Sequence, residues 1–328
     1  MAEELSPHLT IWAVSDGRVG IEAQVLGLAE AVARQRPATI VAKTIGWRWG
    51  LGRLPWPLIP FPRLTAEADG PLGPPWPNVW ISAGRASLPL SRRVRRWSGG
   101  ETFVVQTQDP RGGLAAFDLV VPPAHDEITG PNVLPIIGSP NRMSAERLQQ
   151  DLSRFRSRID PLPRPRVALI VGGKSNSHDL PPARAKAMAD DVGKAVRAIG
   201  GSLLVSFTRR TPKPARRILS EGLREIPGWI WDNHGENPYA AFLAAADIIL
   251  ITDDSTNLAT DAATTGKPIY TLAMAGGGRK FDRFHDDLRR RGIERPFAGS
   301  LAEWSYPPLD ETNRAATELL RRLDARKP

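Results

Sequence analysis

The chain has 328 residues, 41% hydrophobic and 24% charged, with a net charge of +9 and a pI near 10.3. That balance is the one found in soluble globular proteins; the length allows two domains, and no apolar run is long enough to span a bilayer. There is no cysteine, which excludes disulfides, thiolate chemistry and cysteine-bound zinc, and the five histidines show no metal-ligand spacing.

The basic excess suits a phosphate-bearing ligand, a polyanion or an anionic membrane surface. No helix-turn-helix, RNP or zinc-finger pattern points to specific nucleic-acid recognition. Much of the arginine lies beside acids in helix-like stretches (ARAKAMADDVGKAVRA, DRFHDDLRRRGIER), the pattern of a solvated face. The acidic start, MAEELSPH, argues against a secretory signal, so the expectation is a cytoplasmic protein, with a peripheral place at the inner membrane as a further option.

In chain order, HLTIWAVS (8–15) reads as a strand, a helix follows from about Ile21 to Arg36, and ATIVAKTI (38–45) is a second strand. A proline-rich aromatic insertion covers 46–77. NVWISAG (78–84), ETFVVQTQ (101–108), FDLVVPP (117–123) and NVLPIIG (132–138) are further strands, with LPLSRRVRRWS a short basic helix between the first two. PLPRPR (161–166) is the linker candidate, because its prolines stop regular structure. Beyond it VALIVGG (167–173), SLLVSFT (202–208), GWIWD (228–232), ADIILIT (246–252) and PIYTLAM (268–274) repeat the architecture, and ETNRAATELLRRLDAR (311–326) is a terminal helix. Strands alternating with helices predict α/β halves with parallel sheets: two Rossmann-like domains facing across a cleft, where small molecules bind.

Ligands of such sheets sit beyond the carboxyl ends of the strands, so the strand-end loops carry the chemistry. Asp16, Gly17, Arg18 and Gly20 follow the first strand, where the glycines permit a tight turn or close approach to a ligand; a plain strand–helix turn is the alternative. The loop is not GxGxxG, and the second strand lacks a terminal acid, which disfavours a nicotinamide dinucleotide. Gly172, Gly173, Lys174 and Ser175 combine paired glycines with a cation and a small donor, suited to a diphosphate at a helix N-terminus, although the Walker pattern is missing. Thr208, Arg209 and Arg210 occupy the next strand end, where guanidinium groups bind phosphate bidentately. In ILITDDSTNLATDAATTGKPIY (249–270) a buried strand turns polar at its end. Asp254, Ser255 and Asn257 stand where strand becomes helix, and helix capping is their plainer reading. Asp261 lies further along that small-residue helix, where a carboxylate can accept from ribose hydroxyls.

This last stretch resembles the donor half of GT-B glycosyltransferases, especially the branch that makes the lipid-linked peptidoglycan precursor. In that branch the helix acid is usually Glu and binds the ribose; here it is Asp261, one methylene shorter. Over nearly the whole chain, SDGRVGIEAQVLGLAEA, VWISAGRAS, QTQDPR, FDLVVPPAHDEITGPNVL, GGKS, FTRRTP, DDSTNLATDAATTGKPIY and KFDRFHDDLRRRGIERPF are similar to the mitochondrial-fission ELM family. The resemblance implies a GT-B-like fold, and with the linker at 161–166 the expected division is 1–160 as the acceptor-side domain, 161–310 as the nucleotide-sugar-side domain and 311–328 as a helix packing back on the first. The expectation, on the likeness to the GT-B donor half, is a nucleotide-sugar co-substrate, no further cofactor, and hexosyl or N-acetylhexosaminyl transfer, with a lipid-linked or membrane-associated acceptor if the aromatic insertion is exposed. GT-B enzymes generally need no protein-bound metal, so Lys174, Arg209 and Arg210 would stabilise the leaving diphosphate. The plant member is known as an adaptor that helps recruit a dynamin-related protein, so a catalytically silent adaptor is one alternative and an NDP-sugar epimerase another.

On the acceptor side, Gln106, Asp109, His125 and Asp126 fall at strand ends. His125 with Asp126 is the candidate general base for an acceptor hydroxyl, Asp16 is its rival, and a locally bonded loop histidine is the competing reading. The insertion places Trp47, Trp49, Trp56 and Phe61 among Arg48, Arg53 and Arg63. Exposed, these would suit an anionic membrane interface; tucked inward, they would only fill the lobe.

Overall fold

The computed structural model describes residues 8–54 and 58–326, so that Trp56 lies outside the described residues. The chain divides into two units, residues 1–142 with 310–328, and residues 143–309.

The first unit runs β1 (Leu9–Ser15), α1 (Val19–Gln35), β2 (Ala38–Trp47), α2 (Pro62–Thr65), β3 (Ala66–Ala68), β4 (Val79–Ser82), α3 (Leu88–Trp97), β5 (Phe103–Gln106) and β6 (Leu119–Val120). Its sheet has the order β3-β2-β1-β4-β5-β6, parallel except where β3 pairs antiparallel with β2. Both faces of β1 are buried, and alternate residues serve them: Leu9, Ile11 and Ala13 meet the core under α1, and Trp12 and Val14 meet the core under α3. In α1, Val25, Leu28, Ala29 and Val32 recur at helical spacing and form its buried face. The expected strand 132–138 is absent: Pro135 has no N–H to give, and only the single bridges Val120–Val133 and Pro123–Ile136 form.

The second unit runs α4 (Ala145–Ile159), β7 (Arg166–Val171), β8 (His178–Asp179), α5 (Pro182–Ala198), β9 (Ser202–Phe207), α6 (Lys213–Leu223), β10 (Gly228–Ile230), α7 (Tyr239–Ala245), β11 (Ile248–Thr252), α8 (Thr256–Ala263), β12 (Ile269–Leu272), β13 (Ala275–Gly276), α9 (Arg279–Arg290) and β14 (Glu294–Pro296). The wholly parallel sheet β10-β9-β7-β11-β12-β14 is flanked by α5 and α6 on one face and by α4 and α7 on the other. The prolines of 161–165 lie inside this unit, between α4 and β7, and β8 pairs antiparallel with β13 in a separate two-residue ribbon.

The chain ends in α10 (Glu311–Ala325), which belongs to the first unit: Ala315, Ala316, Leu319 and Leu320 share a core with α1. Arg36 donates to both carboxylate oxygens of Asp324 at 2.8 and 2.6 Å. Each main sheet therefore follows one winding rule, with the first strand central and the second and fourth at its sides. The order reverses between β1 and β4 in one unit and between β7 and β11 in the other, and such reversals open crevices at the strands' carboxyl ends.

Candidate functional site

In the second unit, the loops after β7, β9 and β11 meet at this reversal. Their meeting point is a buried carboxylate. Asp254 accepts from the Gly173 amide at 2.9 Å, from the Thr252 hydroxyl at 2.6 Å and from Arg210 Nη2 at 2.8 Å. The Gly172 amide donates to Thr252 Oγ1 at 2.7 Å, Arg210 Nη1 donates to the Gly173 carbonyl at 3.3 Å, and the Lys174 amide donates to the Arg210 carbonyl at 3.0 Å. A Cβ at residue 172 would stand 2.0 Å from Asp254 Oδ1, and one at 173 would stand 2.1 Å from the Arg210 carbonyl, so both positions require glycine.

This arrangement gives Asp254, the paired glycines and Ser175 partners within the protein. The Asp254 side chain is fully buried and braces three loops rather than facing a ligand. The Gly172 and Gly173 amides are engaged by Thr252 and Asp254, so the paired glycines serve close packing of the loops. Ser175 likewise turns inward: its Oγ accepts from the Ser177 and His178 amides at 3.2 and 3.0 Å.

Cations form the outward face. Arg209 is exposed, Arg210 is half-exposed while held by Asp254, and Lys174 is exposed and pairs with Asp179 at 3.1 Å. Thr208 is partly exposed beside them. The N-terminus of α8 lies two residues beyond Asp254, capped by Ser255, whose Oγ accepts from the Leu258 amide at 3.4 Å. A helix N-terminus and guanidinium groups together favour an anion.

Asn257 and Asp261 share one partly exposed face of α8. Asp261 Oδ2 accepts from the Tyr239 hydroxyl at 2.9 Å. Burial pushes its carboxyl up to about 7, against the opposing pull of the Tyr239 hydrogen bond and of Arg147. Just beyond α8, Lys267 donates to the Leu243 carbonyl at 2.8 Å and to that of Ala244, closing the carboxyl end of α7, and burial lowers its ammonium to about 8.

Two histidines that spacing does not single out flank Asp253. His285 Nε2 meets the Asp253 carbonyl at 3.1 Å and its Nδ1 meets buried Glu294 at 2.7 Å. His178 is buried on the edge of Phe281, with Nε2 4.0 Å from Asp253 Oδ1. Asp253 also lines a cavity of about 230 Å³ with Arg184, Asp191, Thr271 and Arg289. Among the described residues no cluster of His, Asp and Glu has the makings of a metal site.

In the first unit, Asp16 lies at the β1–β4 reversal close to Gly84, and its carboxylate is held by Arg18 at 2.7 Å. Gly17 occupies a left-handed φ of +74° against Thr44, while Gly20 belongs to the first turn of α1. Gln106 is buried at the end of β5, its Oε1 accepting from Ser82 at 2.8 Å. Asp109 accepts from the Arg111 amide at 2.6 Å in an exposed turn. The His125 side chain is only 5% exposed and stands 3.9 Å from Asp126. It follows β6, three strand spacings or roughly 14 Å from the strand that carries Asp16. The two candidate bases are therefore not one constellation.

Two doubly wound units of this kind define a GT-B-type α/β protein. Solved structures with the same fold include the UDP-GlcNAc 2-epimerase of Methanocaldococcus jannaschii, with a TM-score of 0.60 at 11% identity over 97% of this chain and 100% of that one. The same enzyme in complex with UDP-GlcNAc and UDP aligns with a TM-score of 0.53, at equal identity and coverage. The glycotransferase of kitacinnamycin gives 0.50 at 15% identity over 98% of this chain and 94% of that one. Residues 19–323 match the family model described as mitochondrial fission ELM1, and the chain belongs to that family. The mitochondrial fission protein ELM1 of Arabidopsis thaliana is 31% identical over 291 residues, which is 80% of this chain and 66% of the plant protein, so the chain spans just under two thirds of that relative. An uncharacterised protein of Rickettsia prowazekii is 24% identical across 94% of this chain and 97% of its own length.

Proposed function

We propose that the protein is a nucleotide-sugar-dependent glycosyltransferase whose donor diphosphate lies over the β7–β11 reversal of the second unit. One observation carries this reading: the buried Asp254 carboxylate, two residues ahead of α8, pairs with half-exposed Arg210 and locks together three strand-end loops, which also carry exposed Arg209 and Lys174. Positive groups at that place stabilise the diphosphate as the sugar's anomeric bond to it breaks, without a protein-bound metal. Asp261 has a second carboxylate oxygen for ribose hydroxyls while Tyr239 holds the first. In that reaction an acceptor hydroxyl attacks the anomeric carbon, a base takes its proton, and the nucleoside diphosphate leaves. The acceptor in this reading is lipid-linked or membrane-associated.

A second reading, a catalytically silent adaptor, draws support from the same brace. The glycine amides are satisfied internally, so the loops keep their shape with nothing bound. Calorimetric titration with UDP, GDP and their sugars separates the two, followed by turnover assays with lipid extracts. The transferase reading expects nucleotide binding that Arg209→Ala weakens by about 1.5–3 kcal/mol with no loss of stability. Binding without turnover favours the adaptor, interconversion of the free sugar nucleotide favours an epimerase, and no binding at all defeats the site.

A further inference from the structure

The aromatic insertion after β2 takes no part in the site above. Residues 46–66 contain three arginines and no acid. Part of the stretch is anchored: Trp47 Nε1 donates to the Ala86 carbonyl at 3.2 Å, and Ile59, Pro62 and Thr65 are buried. Other described residues of it face solvent. Trp49 is 80% exposed and Phe61 75%, and Leu54, Leu58 and Leu64 are exposed with them. These five are all but one of the large apolar side chains exposed among the described residues, and they fall within one short stretch. Chance exposure scatters such side chains singly; a concentration marks a binding surface.

The backbone holds the aromatics out. Trp49 and Phe61 have left-handed φ values of +51° and +41°, which bulky residues rarely adopt and which persist only where the surroundings impose them. The cations stand among them. Arg48 is exposed and only loosely paired with Glu67 at 3.8 Å, Arg53 is exposed, and the Arg63 guanidinium lies 5.5 Å from the rings of both Trp76 and Trp97. Arg85 adds another, donating to the Leu54 carbonyl at 3.1 Å.

We propose that residues 48–54 and 58–64 dock the first unit on an anionic lipid bilayer, with Trp49, Leu58, Phe61 and Leu64 in the interfacial layer and Arg48, Arg53 and Arg63 on lipid phosphates. Indole and phenyl groups beside arginine match the amphipathic depth profile of that layer. A proline-broken stretch with projecting single side chains offers neither a strand edge nor a groove to a protein partner. No helix among the described residues is long and apolar enough to cross a membrane, so the contact is one of surface residence. The docking stands independently of the nucleotide-sugar reading.

The test is cosedimentation of the full chain with vesicles of phosphatidylglycerol and phosphatidylcholine, against phosphatidylcholine alone. Binding is expected to the anionic vesicles, and Arg48→Gln, Arg53→Gln and Arg63→Gln together should weaken it about 100-fold, at roughly fivefold per arginine. Brominated acyl chains should quench part of the tryptophan fluorescence, and Trp49→Phe should remove that part. The proposal fails if the wild-type chain ignores anionic vesicles, or if Trp49→Ser with Phe61→Ser binds them as tightly as before. It also fails if sedimentation velocity shows a wild-type dimer that the same double variant dissolves, which would make this surface a contact between copies.

Discussion

Arg210 and Asp254 form a 2.8 Å ion pair across the strand-end loops of the second unit, with the carboxylate fully buried and the guanidinium half in solvent. The asymmetry gives the pair two roles. The buried oxygen is a structural acceptor for Gly173 and Thr252, and the exposed guanidinium remains able to meet a ligand.

Removing the acid should therefore be a stability change. Asp254→Ala leaves the Gly173 amide and the Thr252 hydroxyl without their acceptor and is expected to cost about 2–4 kcal/mol. Denaturant unfolding checks this, and Arg210→Ala should cost less because the carboxylate keeps two other donors. Gly172→Ala should be at least as harmful as Asp254→Ala, since its Cβ would stand 2.0 Å from the carboxylate.

Asp261 gives a pH signature. Its folded pKa of about 7 lies above the ordinary 3.8, so the folded state binds the extra proton between those values. Stability from this group should fall as pH rises from about 4 to 7 and stay low above 7. Asp261→Asn is expected to remove that slope and to stabilise the protein by about 2–4 kcal/mol at pH 8, with little change at pH 4. Melting temperatures across that range decide it; an unchanged slope would place the titration elsewhere.

Lys267 has the opposite window. Its folded pKa of about 8 lies below the ordinary 10.5, so the unfolded state binds more protons between the two, and stability should rise with pH across that interval. Lys267→Met should flatten this rise, worth about 2–3 kcal/mol, while stripping the last α7 carbonyls of their donor. Unfolding followed from pH 7 to 10.5 reads both effects.

His285 titrates upward from its ordinary value. Burial works against its charge, but the Glu294 hydrogen bond and negative charge, with the Asp253 carbonyl, outweigh it. A raised folded pKa contributes stability that is complete below about 6.5 and lost as pH rises through the folded value. His285→Ala should cost about 2–4 kcal/mol at pH 6, because the buried Glu294 carboxylate loses a partner, and progressively less at higher pH. Equal losses at pH 6 and pH 9 would show that the ring acts only by filling space.

The strand-end loops were legible because wholly apolar runs stop abruptly, at Val171 before Gly172 and at Ile251 before Thr252. Where Asp254 points was not legible. Its direction depends on β7 lying beside β11, which brings residues 81 positions apart into one hydrogen bond. A Gly-Gly pair reads alike whether a phosphate or a carboxylate from the next strand lies against it. The insertion hid its division for a similar reason: Trp47 and Trp49 are chemically alike, and only the Ala86 carbonyl and the left-handed backbone at Trp49 send one inward and the other out. The short β14, Glu294–Pro296, was missed because its charged residues obey no apolar alternation.

The Arg36–Asp324 contact joins residues 288 positions apart, and it seals α10 against α1. During synthesis, then, the hydrophobic interior of the first unit can close only after residues 311–325 have left the ribosome. A variant in which α10 could not form would expose apolar surface on the part of the molecule made first.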